Sequence, residues 1–168
     1  MLVAGDAESP DRVLPALDGD GMRVAVLCGR FNDLITLRLL AGVRRGLAAA
    51  GVDDDDVTVA WVPGAFELPY AANAHARSGL FDAVVVLGAV IRGETTHYEL
   101  VSGECARGVQ DVQLATSVPV LFGVLTTENL DQALARSEDA GGHNVGEECA
   151  SGAVEVVGLV RGLREKMA

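Results

Sequence analysis

A chain of 168 residues, 49% apolar and with a formal charge of −11, has the size and composition of one compact domain able to bury a substantial core. The acidity argues against a nucleic-acid binder, for which a basic footprint is expected, and against docking on an anionic membrane. No apolar run reaches the roughly 18 residues of a membrane span.

Residues 1–21 carry acids, prolines and glycines without the basic start and apolar core of an export signal. They read as a flexible arm ahead of a single domain over 22–168, and the expected location is the cytoplasm. Arg23 to Leu27 is a short β-branched run, predicted as a buried strand. Asp33 is placed to cap a helix whose apolar stripe is Leu34, Leu37, Leu40, Val43 and Leu47. Gly51 to Asp56 is an acidic turn, Val57 to Val62 a second strand, and Pro63-Gly64 its end. A helix follows from about Phe66, with Pro69 tolerable only in its first turn.

Ala83 to Val90 is nearly all apolar, as expected of a central parallel strand covered on both faces. A long helix is predicted from about His97 to Thr116. Pro119 opens a fourth strand, Val120 to Leu125. Thr126 or Thr127 caps a short helix through Arg136. A Gly-rich loop, Ala140 to Asn144, leads to a last helix from about Gly146 to Arg164. Strand and helix alternate four times, the pattern of a parallel sheet with helices on both faces: a three-layer α/β/α fold with four strands.

Such sheets bind ligands beyond the carboxyl ends of their strands. Four segments meet there: 29–32, 63–67, 90–97 and 122–127. Thr96 and Glu99 have capping-box spacing, and the turn ahead of that helix should collect free N–H groups that favour an anion. His97 stands beside it, of the residue type that exchanges protons near neutral pH. Phe31 either packs on the sheet or stacks on a planar ring. Glu67 is a helix-dipole partner or an acceptor for a polyol or amine, and Arg136 reads as a favourable C-terminal cation. Glu94 reads as solvated. The three cysteines, Cys28, Cys105 and Cys149, share no metal spacing and read as buried free thiols. The chain has no P-loop, no nucleophile elbow, and no G-x-G-x-x-G after the first strand. An anion cradle beside a proton-transfer group points to an enzyme acting on a small phosphorylated molecule.

From Arg23 to Arg164 the sequence resembles the lumazine synthase family. The resemblance is carried by Gly29-Arg30-Phe31-Asn32, Trp61 to Pro69, Asp82-Ala83, Gly88 to His97, Phe122 to Asn129, and Gln132-Ala133 with Arg136. It implies a flavodoxin-like fold and condensation of 5-amino-6-ribitylaminouracil with 3,4-dihydroxy-2-butanone 4-phosphate, a transferase step in riboflavin biosynthesis. It implies no cofactor and no metal. Phe31 would stack on the pyrimidine. Asn32, Gly64, Ala65, Phe66 and Glu67 would hold the ribityl chain and nearby polar groups, and Val90 and Ile91 would line the ring pocket. Glu94, Thr95 and Thr96 would bind phosphate, and His97 would move protons. Phe122 and Arg136 would come from a neighbouring subunit, with Arg136 on the phosphate.

One departure stands out. Where the family carries a phosphate-binding lysine ahead of the last helix, this chain has Val145. His143, two residues earlier, would compensate in part if protonated. The departure leaves room for a paralogue with a changed substrate or weak activity, and the same fold would also suit a flavin- or lumazine-binding protein or a scaffold. The resemblance further implies a homopentamer with sites between subunits. The acidic segment Arg136 to Gly146 and the −11 charge favour a pentamer or decamer over a closed shell of many pentamers.

Overall fold

The computed structural model describes residues 10–12 and 14–168, and its organising element is β3, Ala83–Ile91. Every residue from Ala83 to Val90 is buried. A strand buried on both faces must place its backbone bonds within a sheet and its side chains under helices. β3 does so between β1, Val24–Gly29, and β4, Val120–Thr127, with β2, Val57–Val62, outside β1. The order is β2-β1-β3-β4 and every pairing is parallel.

Side chains alternate across the sheet. Val24, Val26, Cys28, Val85 and Leu87 enter one core with α1, Asp33–Ala49, and α5, Val145–Met167. Ala25, Leu27, Val84 and Val86 enter the other with α2, Leu68–Arg77, and α3, His97–Thr116. The short α4, Leu130–Leu134, follows β4. This is the three-layer α/β/α arrangement with a four-stranded parallel sheet that the alternation predicts. Among the described residues no helix is long and apolar enough to cross a membrane.

Local details differ from expectation. The buried face of α1 is Ile35, Leu39, Val43 and Leu47, with Gly42 and Gly46 between, whereas Leu34 and Leu37 are exposed. The expected stripe therefore holds at Val43 and Leu47, with Leu40 packed at its edge, and fails at Leu34 and Leu37, while α5 packs closely against the glycines. A Cβ on Gly46 would lie 2.6 Å from Cβ of Ala150. The helix starts are also capped differently. Asn32, not Asp33, is the N-cap of α1, and Asn129, rather than Thr126 or Thr127, caps α4 by accepting from the Gln132 N–H at 2.9 Å. Both threonines belong to β4. Of the expected arm, residues 1–9 and 13 lie outside the described residues. Gly19 is buried and donates its N–H to the Ala50 carbonyl at 2.8 Å.

Asn144 joins α1, the loop before α5 and α5 itself. Its Nδ2 donates to the carbonyls of Arg38 (3.1 Å) and Glu138 (2.9 Å), and its Oδ1 accepts from the Glu147 N–H (3.2 Å). Asn144→Ala removes the cap of α5 and the donor for two carbonyls, and should destabilise the fold by about 2–3 kcal/mol. A lower urea midpoint at unchanged slope is the expected result; an unchanged midpoint would show that the cap is dispensable.

Candidate active site

The chain runs from β1 outward to β2, then returns across β1 to β3. The connections leaving β1 and β3 diverge, and a crevice opens beyond their carboxyl ends, where ligands of such sheets bind. A cleft of about 750 Å³ occupies this position. That is the size of a small-molecule site.

Three turns build its walls. The turn after β1 is held by N–H bonds from Arg30 to the Val62 carbonyl (2.9 Å) and from Phe31 to the Pro63 carbonyl (3.1 Å). Asn32 takes a left-handed conformation (φ 61°), which Asn tolerates better than most residues. Its Nδ2 donates to the Ala89 carbonyl at 2.9 Å, beyond the last β1–β3 pair, Cys28 with Leu87. Phe31 is thereby left 74% exposed at the mouth. The second turn passes close to the first: a Cβ on Gly29 would lie 3.3 Å from the Gly64 carbonyl carbon. It then forms a 3-10 turn, Ala65–Glu67, that presents Phe66, also exposed. The third turn follows β3 and enters α3.

The structure brings most of the expected residues together. Phe31, Asn32, Gly64, Ala65, Phe66 and Glu67 line one side of the cleft. Val90, Ile91, Thr95 and His97 line the other, joined by Tyr98, Leu100, Val101 and Glu104 from α3. Glu94 and Thr96 lie in the same loop but do not line the cleft. Phe122 sits mid-strand in β4 opposite Val86, and Arg136 follows α4; neither lines this chain's cleft.

The loop between β3 and α3 is suited to an anion. Among the described residues nothing accepts a hydrogen bond from the N–H groups of Gly93, Glu94, Thr95 or Thr96. They stand at the N-terminus of a 20-residue helix, where unpaired N–H groups and the helix dipole favour negative charge. The capping box is not formed: Thr96 makes no side-chain cap bond, and the Glu99 carboxylate goes to Arg92 instead. His97 begins the helix, with its N–H 3.4 Å from Thr95 Oγ1. Its ring has no hydrogen-bond partner among the described residues, so it is available to a ligand in the cleft.

Arg92 has no role in the sequence reading, yet it dominates the polar contacts here. Its Nε donates to Glu128 at 2.8 Å, its Nη1 donates to Glu99, and its guanidinium lies 4.1 Å from the centre of the Tyr98 ring. The two partners, seven and 36 residues away, give no sequence signal beyond their charge.

Arg136 donates to the Gln132 carbonyl at 2.9 Å and has no acidic partner among the described residues. Its own carbonyl accepts from the Val145 N–H at 3.0 Å, so the position of the departure adjoins Arg136. The Val145 side chain packs on the α1–α5 core, and the His143 ring is 3.0 Å from Glu148.

Residues 21–161 match the family model described as 6,7-dimethyl-8-ribityllumazine synthase.

All three cysteines are buried, and burial pushes each thiol up to about 12. None is therefore a thiolate nucleophile near neutral pH. Folding raises these values above the ordinary 9.0, so the fold favours the protonated thiol. The stabilisation is complete below pH 9 and declines as pH rises from about 9 towards about 12, by about 1.4 kcal/mol per pH unit for each thiol. Urea midpoints at pH 8 and pH 10 should show this, with the pH dependence cut by about a third in Cys105→Ala. Rapid alkylation of the folded chain at pH 8 would contradict it.

Proposed function

The chain belongs to the 6,7-dimethyl-8-ribityllumazine synthase family, and from that premise we propose that it condenses 5-amino-6-ribitylaminouracil with 3,4-dihydroxy-2-butanone 4-phosphate. One observation carries the reading: an aromatic-edged cleft and a loop of four unbonded N–H groups meet at His97. A planar ring with a polar tail and a phosphorylated partner need that combination in one place.

Phe31 and Phe66 supply flat apolar surface for the pyrimidine, and the turn Gly64 to Glu67 offers polar atoms for the ribityl hydroxyls. The Gly93–Thr96 loop, with Glu94, Thr95 and Thr96, seats the phosphate. The substrate's own 5-amino group attacks the ketone, so the protein need supply no nucleophile. Water leaves as the imine forms. A proton leaves the adjacent carbon as phosphate departs, and ring closure by the ribitylamino nitrogen expels a second water. His97 is placed to take and return these protons. Holding two substrates in one orientation contributes the remainder. Phe122 and Arg136 act in a neighbour's site within a homopentamer or a pair of pentamers, and the domain spans residues 22–168, preceded by the arm at 1–21.

Mixing the protein with both substrates should release phosphate and generate the lumazine chromophore without added metal; silence at saturating substrates would sink the reading in favour of a binder or scaffold. His97→Ala should lower turnover by about 10²–10⁴-fold while pyrimidine binding changes little. Turnover at the wild-type level would remove His97 from the proton transfers.

The Val145 position offers a second measurement. A lysine there would add a cation next to Arg136 and should tighten inorganic phosphate about ten- to a hundredfold in calorimetric titration. No gain would favour a paralogue whose pocket has been adapted to another substrate. Light scattering in moderate salt should give the mass of one or two pentamers; a monomer would undermine the shared site.

A further inference from the structure

The Gly93–Thr96 loop has little of its own to hold it in shape. Thr96 makes no side-chain cap bond, the Thr95 hydroxyl is 3.4 Å from the His97 N–H, and the Leu100 N–H reaches the Thr96 carbonyl only at 3.4 Å. Both are at the long end of hydrogen-bond geometry. Four N–H groups that form no bond within the fold would not keep one arrangement unless the ends of the loop were fixed elsewhere.

Arg92 fixes both ends. Its backbone N–H donates to the Thr127 carbonyl at 2.8 Å, which extends the β3–β4 ladder by one bond past Ile91. Its side chain then crosses the loop. The guanidinium is bound by Glu99 in the first turn of α3 and by Glu128 just after β4, and it lies over the face of Tyr98. One planar group thus joins the end of β3, the end of β4 and the start of α3. A guanidinium suits this because its donors form a rigid fork.

We infer that Arg92 is a positioning residue, a clasp that holds the Gly93–Thr96 loop in the shape that seats an anion without touching the anion itself. The inference rests on the reading of this loop as the phosphate seat. Glu128 takes Nε and Glu99 takes Nη1, so two of the three guanidinium nitrogens are committed to carboxylates whose negative charge opposes an anion beside them. The same contacts raise the Arg92 pKa and, with its hydrogen bond to Arg92 as the main cause, lower that of Glu99, so the clasp stays charged through the neutral range.

Charge and geometry predict opposite outcomes, which makes the clasp testable. Replacing both Glu99 and Glu128 with Ala removes two negative charges beside the seat and frees the guanidinium. If Arg92 were a reserve anion ligand, or if local charge set affinity, inorganic phosphate would bind more tightly. A clasp predicts weaker binding, by roughly tenfold, because small misplacements of a binding group are expensive. Arg92→Gln should weaken phosphate to a similar degree and raise KM for the phosphorylated ketone, with KM for the pyrimidine within about twofold of wild type. Arg92→Lys, which keeps the charge but not the fork, should recover only part of the loss.

Calorimetry with inorganic phosphate on the assembled full-length protein decides it, alongside the two KM values. Equal or tighter phosphate binding in the double variant overturns the clasp, as does an equal rise in both KM values for Arg92→Gln. A wild-type protein that binds phosphate but makes no lumazine would overturn the proposed reaction and leave the clasp standing. A wild type that binds no phosphate would overturn both.

Discussion

The double burial of β3 is the constraint on which the rest of this molecule depends. With every side chain from Ala83 to Val90 out of water, the strand has only its neighbours to satisfy its backbone and only helices to cover its faces. Parallel partners on both sides require crossovers, and crossovers require helices above and below. Because the chain visits β2 before it returns to β3, the loops after β1 and β3 part from each other. The cleft is the space they leave. Asn32 then spans that gap through its bond to Ala89, so the residue that starts α1 also fixes the distance across the site.

The same dependence explains what was legible in the sequence. The strands were readable because their apolar runs are continuous or nearly so, and their ends moved by only a residue or two. The face of α1 was readable only in its second half, Val43 and Leu47, because the helix contact also uses Gly42 and Gly46, and glycine carries no apolar signal. A search for large side chains selects Leu34 and Leu37, which the sheet and α5 leave outside. Capping failed for a related reason. Thr96 with Glu99 matches the spacing of a box, but spacing does not reveal that a nearby arginine competes for the glutamate. Thr96 keeps the N-cap position of α3 without a side-chain bond, and asparagines at 32, 129 and 144 occupy the N-caps of α1, α4 and α5, two of them using the side chain to cap.

Strand order was the larger hidden quantity. The alternation of elements fixes which loops lie at the carboxyl edge, but only the order β2-β1-β3-β4 shows that the loops after β1, β2 and β3 share a wall while residues 122–127 extend β4. The α3 contribution was equally invisible. Tyr98, Leu100, Val101 and Glu104 enter the cleft because α3 leaves the loop at an angle set by its packing against α2, not by anything local to those residues.

Electrostatics gives the molecule a further asymmetry. The chain carries −11 charge, and most of its arginines near carboxylates are paired: Arg44 with Asp54, Arg45 with Glu147, Arg107 with Glu104 and Asp111, Arg161 with Asp82. Arg92, the cation nearest the anion loop, is occupied by two glutamates. On the proposed function, the loop would attract its anion mainly through backbone N–H groups, whose partial charges act over the length of a turn and no further. Such a seat is weak for a doubly charged ligand unless another cation joins it. Arg136, half-buried and without an acidic partner among the described residues, does not line this chain's own cleft. On the proposed function, a phosphate seat that uses Arg136 is complete only where a second copy brings its arginine to the first. Exposed Phe122, Leu34 and Leu37 offer apolar surface for such a contact. On the proposed function, assembly is then a condition of substrate binding.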